Sequence, residues 1–189
     1  MSQNKSKFVK SAAILSLVGM LCGCGTIPFT QKAPNFDSTY TINAEITYDK
    51  LKAKANLTRM ENNEWEFKFT EPKQLNGLSV KLNQNGYSAS LGGLSFSAEN
   101  NSSYINAPRL IASAVGKLSD AANSISTSDG VLTINEELDG NRFIITANER
   151  GGELISLKCP SRRLTVNFSE QKPYTQTLPE DGGVTITAE

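Results

Sequence analysis

Side chains able to do chemistry are scarce in this chain of 189 residues, and their types narrow the possible reactions. Histidine is absent, which excludes Ser-His-Asp and Cys-His catalysis and metal sites built on imidazole. Three cysteines are too few for a disulfide framework or a thiolate cage around a metal. The acidic group Glu136, Glu137 and Asp139 lies at a predicted hairpin end, where a solvated turn is the simpler interpretation. We therefore expect no enzyme, no metal and no cofactor.

Two of the cysteines close a segment with the pattern of an export signal. Lys5, Lys7 and Lys10 make its start positive. The apolar run Ala12–Leu21 follows, and its ten residues are well short of the ~20 that span a bilayer. A positive start and a short apolar run are typical of a signal peptide.

The segment at the end of this run, Leu21-Cys22-Gly23-Cys24, resembles the lipobox of bacterial lipoproteins. The resemblance implies cleavage between Gly23 and Cys24 and transfer of a diacylglyceryl group to the Cys24 thiol. Acyl chains such as palmitate would then hold the protein on a membrane, since two chains suffice for stable anchoring. It also implies an extracytoplasmic location, on the outer face of the cell membrane, or at the outer membrane if the cell has one.

Composition and the spacing of apolar residues divide the chain into four segments. We expect a signal peptide over 1–23, a lipidated tether over 24–38, a folded domain over 39–170 and a tail over 171–189, in which residues 184–188 could add a strand. Within the domain, apolar residues alternate with polar ones, as in half-buried antiparallel strands. Turn residues separate the strands, so sequence neighbours should pair in the sheet. We predict six strands before residue 100 and four more over 131–134, 142–148, 154–159 and 164–168.

One segment between the two groups of strands has a helical period. Pro108 suits a first helical turn, and Asp129-Gly130 closes the segment. The predicted apolar face comprises Leu110, Ile111, Ala114, Val115, Leu118, Ala121, Ala122 and Ile125. The sequence thus predicts a mainly β (α+β) fold: about ten strands in a strongly curved antiparallel sheet or incomplete barrel, with one helix in its concave face.

This order of elements resembles the lipoprotein-carrier fold of LolA and LolB, in the branch of small lipoproteins from single-membrane bacteria. The resemblance rests on the element order and on the aromatic strand from Trp65 to Thr70 that ends at Pro72, followed by Asn85-Gly86-Tyr87. It implies an apolar cavity between sheet and helix that holds acyl chains. Trp65, Phe67 and Phe69, with Leu110, Ala114 and Val115 on the helix, are the candidate lining residues. The alternative is that they form a solid core.

Two functional hypotheses follow. The first is a non-catalytic module that is membrane-anchored through Cys24 and binds an acyl chain or another apolar ligand. The second is a solid-core lipoprotein that acts on another envelope protein through its surface. Leu75, in the loop after Pro72, either protrudes or folds back onto the sheet, and the second placement is favoured. Lys plus Arg and Asp plus Glu both number 19, and this neutral balance argues against nucleic acid as a partner.

Overall fold

The computed structural model describes residues 35–99, 107–120 and 125–175. The predicted signal peptide, the lipobox with Gly23 and Cys24, tether residues 24–34 and tail residues 176–189 lie outside these ranges. All described residues belong to one compact unit, Ala33–Glu189.

Strands account for most of the described residues. They are β1 (Tyr40–Tyr48), β2 (Leu51–Arg59), β3 (Trp65–Glu71), β4 (Ser79–Leu82), β5 (Gly86–Leu91), β6 (Leu94–Glu99), β7 (Ile125–Ser128), β8 (Val131–Leu138), β9 (Asn141–Asn148), β10 (Leu154–Cys159) and β11 (Leu164–Pro173). Helix α1 spans Ala107–Gly116. Short 3-10 turns occupy Glu61–Asn63, Leu118–Asp120 and Pro160–Arg162.

All eleven strands form one antiparallel sheet that is not closed into a barrel. Its order is β6-β5-β4-β3-β2-β1-β11-β10-β9-β8-β7, so two meanders of hairpins meet where β1 pairs with β11. β6 and β7 are the free edges of the described sheet. The predicted fold class is confirmed, as a mainly β fold with a single α-helix among the described residues.

The core lies between one face of the sheet and α1. Alternate strand residues point to this inner face, which is why β1 buries Tyr40, Ile42, Ala44 and Ile46 while their neighbours face water. Seven of the ten helix residues are buried, and six of them join the same apolar cluster as the strands. The helix therefore sits in the concave face, as the sequence predicts. Arg109, Ser113 and Gly116 form its remaining, partly exposed stripe.

The predicted extent of the helix was wrong. Ile125 does not belong to its apolar face but opens β7, which accounts for the eleventh strand. Asp129 and Gly130 do not close a helix either, because both have positive φ, 53° and 76°, and connect β7 to β8 as a hairpin. Two-residue hairpin turns with positive φ at both positions match the twist of the strands they join. Ala121 and Ala122 lie outside the described residues.

The folded part extends past both predicted boundaries. Phe36, which the sequence places in the tether, is buried in the core. At the other end, β11 continues to Pro173, and the Tyr174 N–H donates to the Thr39 carbonyl at 3.2 Å.

Candidate functional site

The inner face of the sheet is filled by side chains near the start of β1 and has an open pocket near the end of β1. The closed end, where β1 begins, comprises Phe36, Asp37, Tyr40, Arg59 and Trp65. The apolar mouth, where β1 ends, is an open pocket beside the first turn of α1. Its lining residues are Ile46, Tyr48, Leu51, Ala53, Phe69, Leu75, Leu78, Val80, Ala107 and Pro108.

The closed end is built around Trp65. Its indole N–H donates to Asn63 Oδ1 at 3.0 Å, and the ring of Tyr40 meets it edge-on with centroids 6.0 Å apart. Phe67 follows at 6.0 Å along the same strand. Trp65 and Phe67 are essentially inaccessible to solvent. A Cβ at Gly116 would contact the Asn63 side chain, so the small residue lets the helix end approach this turn closely.

The guanidinium of Arg59 is buried at the same end. Arg59 is 4% exposed, its Nη2 lies 3.2 Å from Asp37 Oδ1, and its guanidinium lies 6.0 Å from the centre of the Trp65 ring. A hydrogen bond from Ser119 is the main cause that holds the pKa of Asp37 below its usual value, and Arg59 acts in the same direction. Asp37 therefore links the start of the domain both to β2 and to the segment after the helix.

Two buried polar groups lie on neighbouring strands at the closed end. They are the guanidinium of Arg59 and the hydroxyl of Tyr40, whose residues pair directly across β1 and β2. Burial raises the pKa of Tyr40 well above its usual value, so the phenol stays neutral.

The apolar mouth has a volume of about 250 Å³. Three chain segments supply it. Tyr48 and Leu51 flank the turn between β1 and β2, where they pair directly. The loop after Pro72 turns back, with the Leu75 N–H donating to the Pro72 carbonyl at 2.8 Å. Pro108 closes the remaining side from the first turn of α1.

Leu75 packs against the core cluster, which confirms that it folds back onto the sheet. Leu51, in contrast, is 48% exposed at the rim. The mouth therefore combines a buried apolar floor with an apolar rim that contacts water. Such a surface can exchange water for an apolar ligand without opening a charged or hydrogen-bonded group.

Other recesses have a different chemistry. A recess of about 430 Å³ lies on the β4–β5–β6 edge, and its lining is about half polar, with Asn83, Asn85, Ser88 and Ser97 among its residues. A smaller one, about 170 Å³, lies between Trp65 and the exposed stripe of the helix and is mainly polar. An apolar chain would gain less from either one than from the mouth, because their walls prefer water.

The structure spreads the six predicted lining residues over several places. Only Phe69 lines the apolar mouth. Trp65 borders the polar recess beside the helix, and Leu110 borders a space of about 40 Å³ near Phe143. Phe67, Ala114 and Val115 are packed in the core. Leu51, Leu75 and Leu78 were not among the predicted lining residues, although each is an apolar residue beside a turn.

Neither a metal site nor a membrane-spanning helix is found in the described ranges. Over residues 35–99, 107–120 and 125–175, no three His, Cys, Asp or Glu side chains are grouped closely enough to hold a metal ion. Over the same stretches, no helix is long and apolar enough to cross a bilayer.

Comparisons with known proteins give a likeness in fold. No family model matches the chain, and no curated protein matches it significantly. An uncharacterized conserved protein from Thermus thermophilus is similar in structure, with a TM-score of 0.50 and 7% identity over 77% of this chain and 88% of that one. A LolA superfamily protein from Nitrosomonas europaea has a TM-score of 0.40 and 9% identity, covering 75% and 88%. LprF from Mycobacterium bovis has a TM-score of 0.37 and 11% identity, covering 76% and 91%.

One of these neighbours is described as a LolA superfamily protein. At identities of 7–11%, the likeness concerns the fold alone.

Proposed function

We propose that this protein is a non-catalytic, membrane-anchored lipoprotein of the cell envelope that binds part of an acyl chain, or a similar apolar group, in its apolar mouth. One observation carries the proposal: an open pocket of about 250 Å³ lined almost entirely by apolar side chains. Water in such a pocket finds few hydrogen-bond partners, so an apolar ligand that displaces it is favoured. At ~25 cal/mol per Å² of apolar surface buried, even part of one chain contributes several kcal/mol.

The size of the mouth limits the ligand. Typical small-molecule pockets measure ~300–1,000 Å³, and the mouth, at about 250 Å³, is just below this range. At the closed end, Trp65 and Phe67 are buried in the core, so their rings fill the inner face there and the mouth does not extend past them. We therefore propose that the mouth takes one chain end and not a whole multi-chain lipid.

Binding is testable by competition with a fluorescent fatty acid, using two matched variants. Leu51→Asp puts a carboxylate on the rim of the mouth, where the residue is 48% exposed. Ile155→Asp makes the same change at a residue that is 42% exposed and outside the mouth. We expect Leu51→Asp to weaken binding at least about tenfold, a loss of ~1.4 kcal/mol, and Ile155→Asp to leave it unchanged. Equal affinities for the two variants would contradict the proposal.

The anchor is tested separately. If Cys24 carries the diacylglyceryl group, Cys24→Ser should leave an uncleaved or soluble precursor, because a hydroxyl is a far weaker nucleophile than a thiolate. Cys22→Ser is the matched control and should partition into detergent like the wild type. A cleaved Cys24→Ser protein that still partitions into detergent would contradict lipidation at this residue.

A second function has its own supporting observation. The closed end is solid, with Trp65, Phe67 and Ile111 fully buried, and a solid core suits a lipoprotein that acts on another envelope protein through its surface. Native mass spectrometry of the protein purified from its own membranes separates the two. A co-purified lipid supports the binding function, whereas a lipid-free protein with a bound protein partner supports the second.

A further inference from the structure

Strand β6 is an unusual sheet edge. All but one of its six residues are exposed, and Leu94 and Phe96 expose 80% and 58% of their surface. Edge strands commonly carry Lys or Pro, which discourage pairing with other chains. β6 has neither, and Glu99 at its end is its single charged residue. The other free edge, β7, is only four residues long.

The ring of Phe96 in β6 packs against a ring of the neighbouring strand. The rings of Tyr87 and Phe96 meet edge-on with centroids 5.8 Å apart. Because Phe96 lies opposite Ala89, a buried inner-face residue of β5, its ring lies on the inner face of the sheet. Leu94 and Ala98 share this face with it, since strand residues alternate. An apolar row therefore runs along the outermost strand, with no other strand beside it among the described residues.

The sequence of β6 is symmetric in type about Phe96. Leu94-Ser95-Phe96-Ser97-Ala98 is apolar-Ser-Phe-Ser-apolar in either direction. An antiparallel pair of such strands centred on Phe96 puts Phe96 opposite itself and Ser95 opposite Ser97. Leu94 then lies opposite Ala98, on the same inner face, and Glu99 lies opposite the uncharged Gly93. No like charges oppose each other, a condition that stable cross-strand pairs require.

From this self-complementary pattern we propose that β6 pairs with β6 of a second copy of this chain, antiparallel and centred on Phe96, so that two sheets join into one. The dimer has two-fold symmetry, the common form for a self-complementary surface. Six-residue strands bury much less than the ~1,600 Å² of a standard interface. The dimer is therefore weak and reversible in solution.

Disulfide trapping in the full-length protein tests the register. In Phe96→Cys the two cysteines face each other directly, within the ~4.4–6.8 Å between Cα atoms that a disulfide allows. Ser97→Cys is the matched control on the same strand, because its own copy lies on the diagonal, ~7–8 Å away. Phe96→Cys should cross-link at least about tenfold faster than Ser97→Cys, since geometry limits the bond. The wild type, which has Cys22, Cys24 and Cys159, supplies the background.

Mixing two different cysteine variants provides a second, independent test of the register. Ser95→Cys and Ser97→Cys lie opposite each other in the proposed register, so the two proteins should cross-link when mixed and not when separate. This arm decides the matter if Phe96→Cys does not fold. Sedimentation of the wild type in detergent should show a monomer–dimer equilibrium that shifts with protein concentration.

Several results would overturn the proposal. Equal cross-linking rates for Phe96→Cys and Ser97→Cys would exclude the centred register, and so would a Ser95–Ser97 mixture that does not cross-link. A wild type that stays monomeric at all concentrations would exclude the dimer.

Discussion

The two ends of the inner face are made from the same strands but differ in what fills them. At the closed end, Trp65 packs against Tyr40 and Phe67, and an ion pair joins Arg59 to Asp37 at the start of the domain. At the apolar mouth, the floor residues Ala53 and Val80 are smaller and the rim residue Leu51 is half exposed. The difference shows that side-chain size along one face decides whether a curved sheet encloses a solid core or a pocket. The helix is common to both ends.

The largest effect is expected when the helix is lifted off the sheet. Val115 is buried on the face of α1 turned to the core. In Val115→Asp, an unpaired charge would have to enter that core at a cost of several kcal/mol, so we expect the domain to unfold. Circular dichroism would report the loss of the β signal.

Ser113→Asp is the matched control, since Ser113 lies on the partly exposed stripe of the same helix. It should keep its β signal. A Val115→Asp protein that stays folded and binds a hydrophobic dye would mean that the helix is a lid and not a fixed part of the core. In that case the closed end and the mouth would form one continuous site.

A smaller effect is expected at the closed end itself. Trp65→Ala should lower the free energy of unfolding by ~3–5 kcal/mol, the usual range for a large aromatic residue in a packed core. Urea denaturation measures this value. Phe96→Ala removes a ring that is 58% exposed and should cost well under half as much. An unchanged unfolding midpoint for Trp65→Ala would mean that the closed end is a cavity, and the contrast with the mouth would disappear.

The smallest effect concerns the link between Asp37 and its two partners. Because Ser119 and Arg59 hold the pKa of Asp37 below its ordinary value of 3.8, the ionised carboxylate stabilises the fold. This stability is fully present above pH 3.8 and is lost as the pH falls through the lowered pKa of the folded state. Asp37→Asn should therefore melt at a lower temperature than the wild type at pH 6. The difference should shrink at acidic pH, and a constant difference would show that this carboxylate does not titrate with folding.

Much of the fold could be predicted from the spacing of apolar residues alone. Alternation along β1 and β3 identified the inner face, because a one-residue shift would have put Ile42 or Trp65 in water. Ile125 was misassigned because a spacing of seven from Leu118 fits a helix, and the polar run Ser126-Thr127-Ser128 after it has no apolar alternation that would indicate a strand. Asp129-Gly130 was the available signal, since an Asp-Gly pair between alternating segments favours a hairpin.

The site was harder to predict than the fold. The local density of aromatic residues led us to predict Trp65 and Phe67 as cavity-lining residues. Their large rings instead fill the space at the closed end. The mouth arises where side chains are too small or too close to a turn to fill the space, as at Ala53 and Leu75. Tyr48, Leu78 and Pro108 are distant in sequence and meet only through sheet curvature and helix placement, which a single sequence does not reveal.

The pairing of the first strand with the last governs how the chain folds. Each meander needs only contacts between neighbours in sequence, but β1 and β11 join the two ends of the domain, from Tyr40 with Pro173 to Tyr48 with Leu164. Such distant pairs form slowly, because a long loop must close before they gain anything. Until β11 is in place, β1 and β10 are bare edges in the middle of the future sheet. A chain that stops before residue 164 would therefore be held as two incomplete halves, each prone to aggregation.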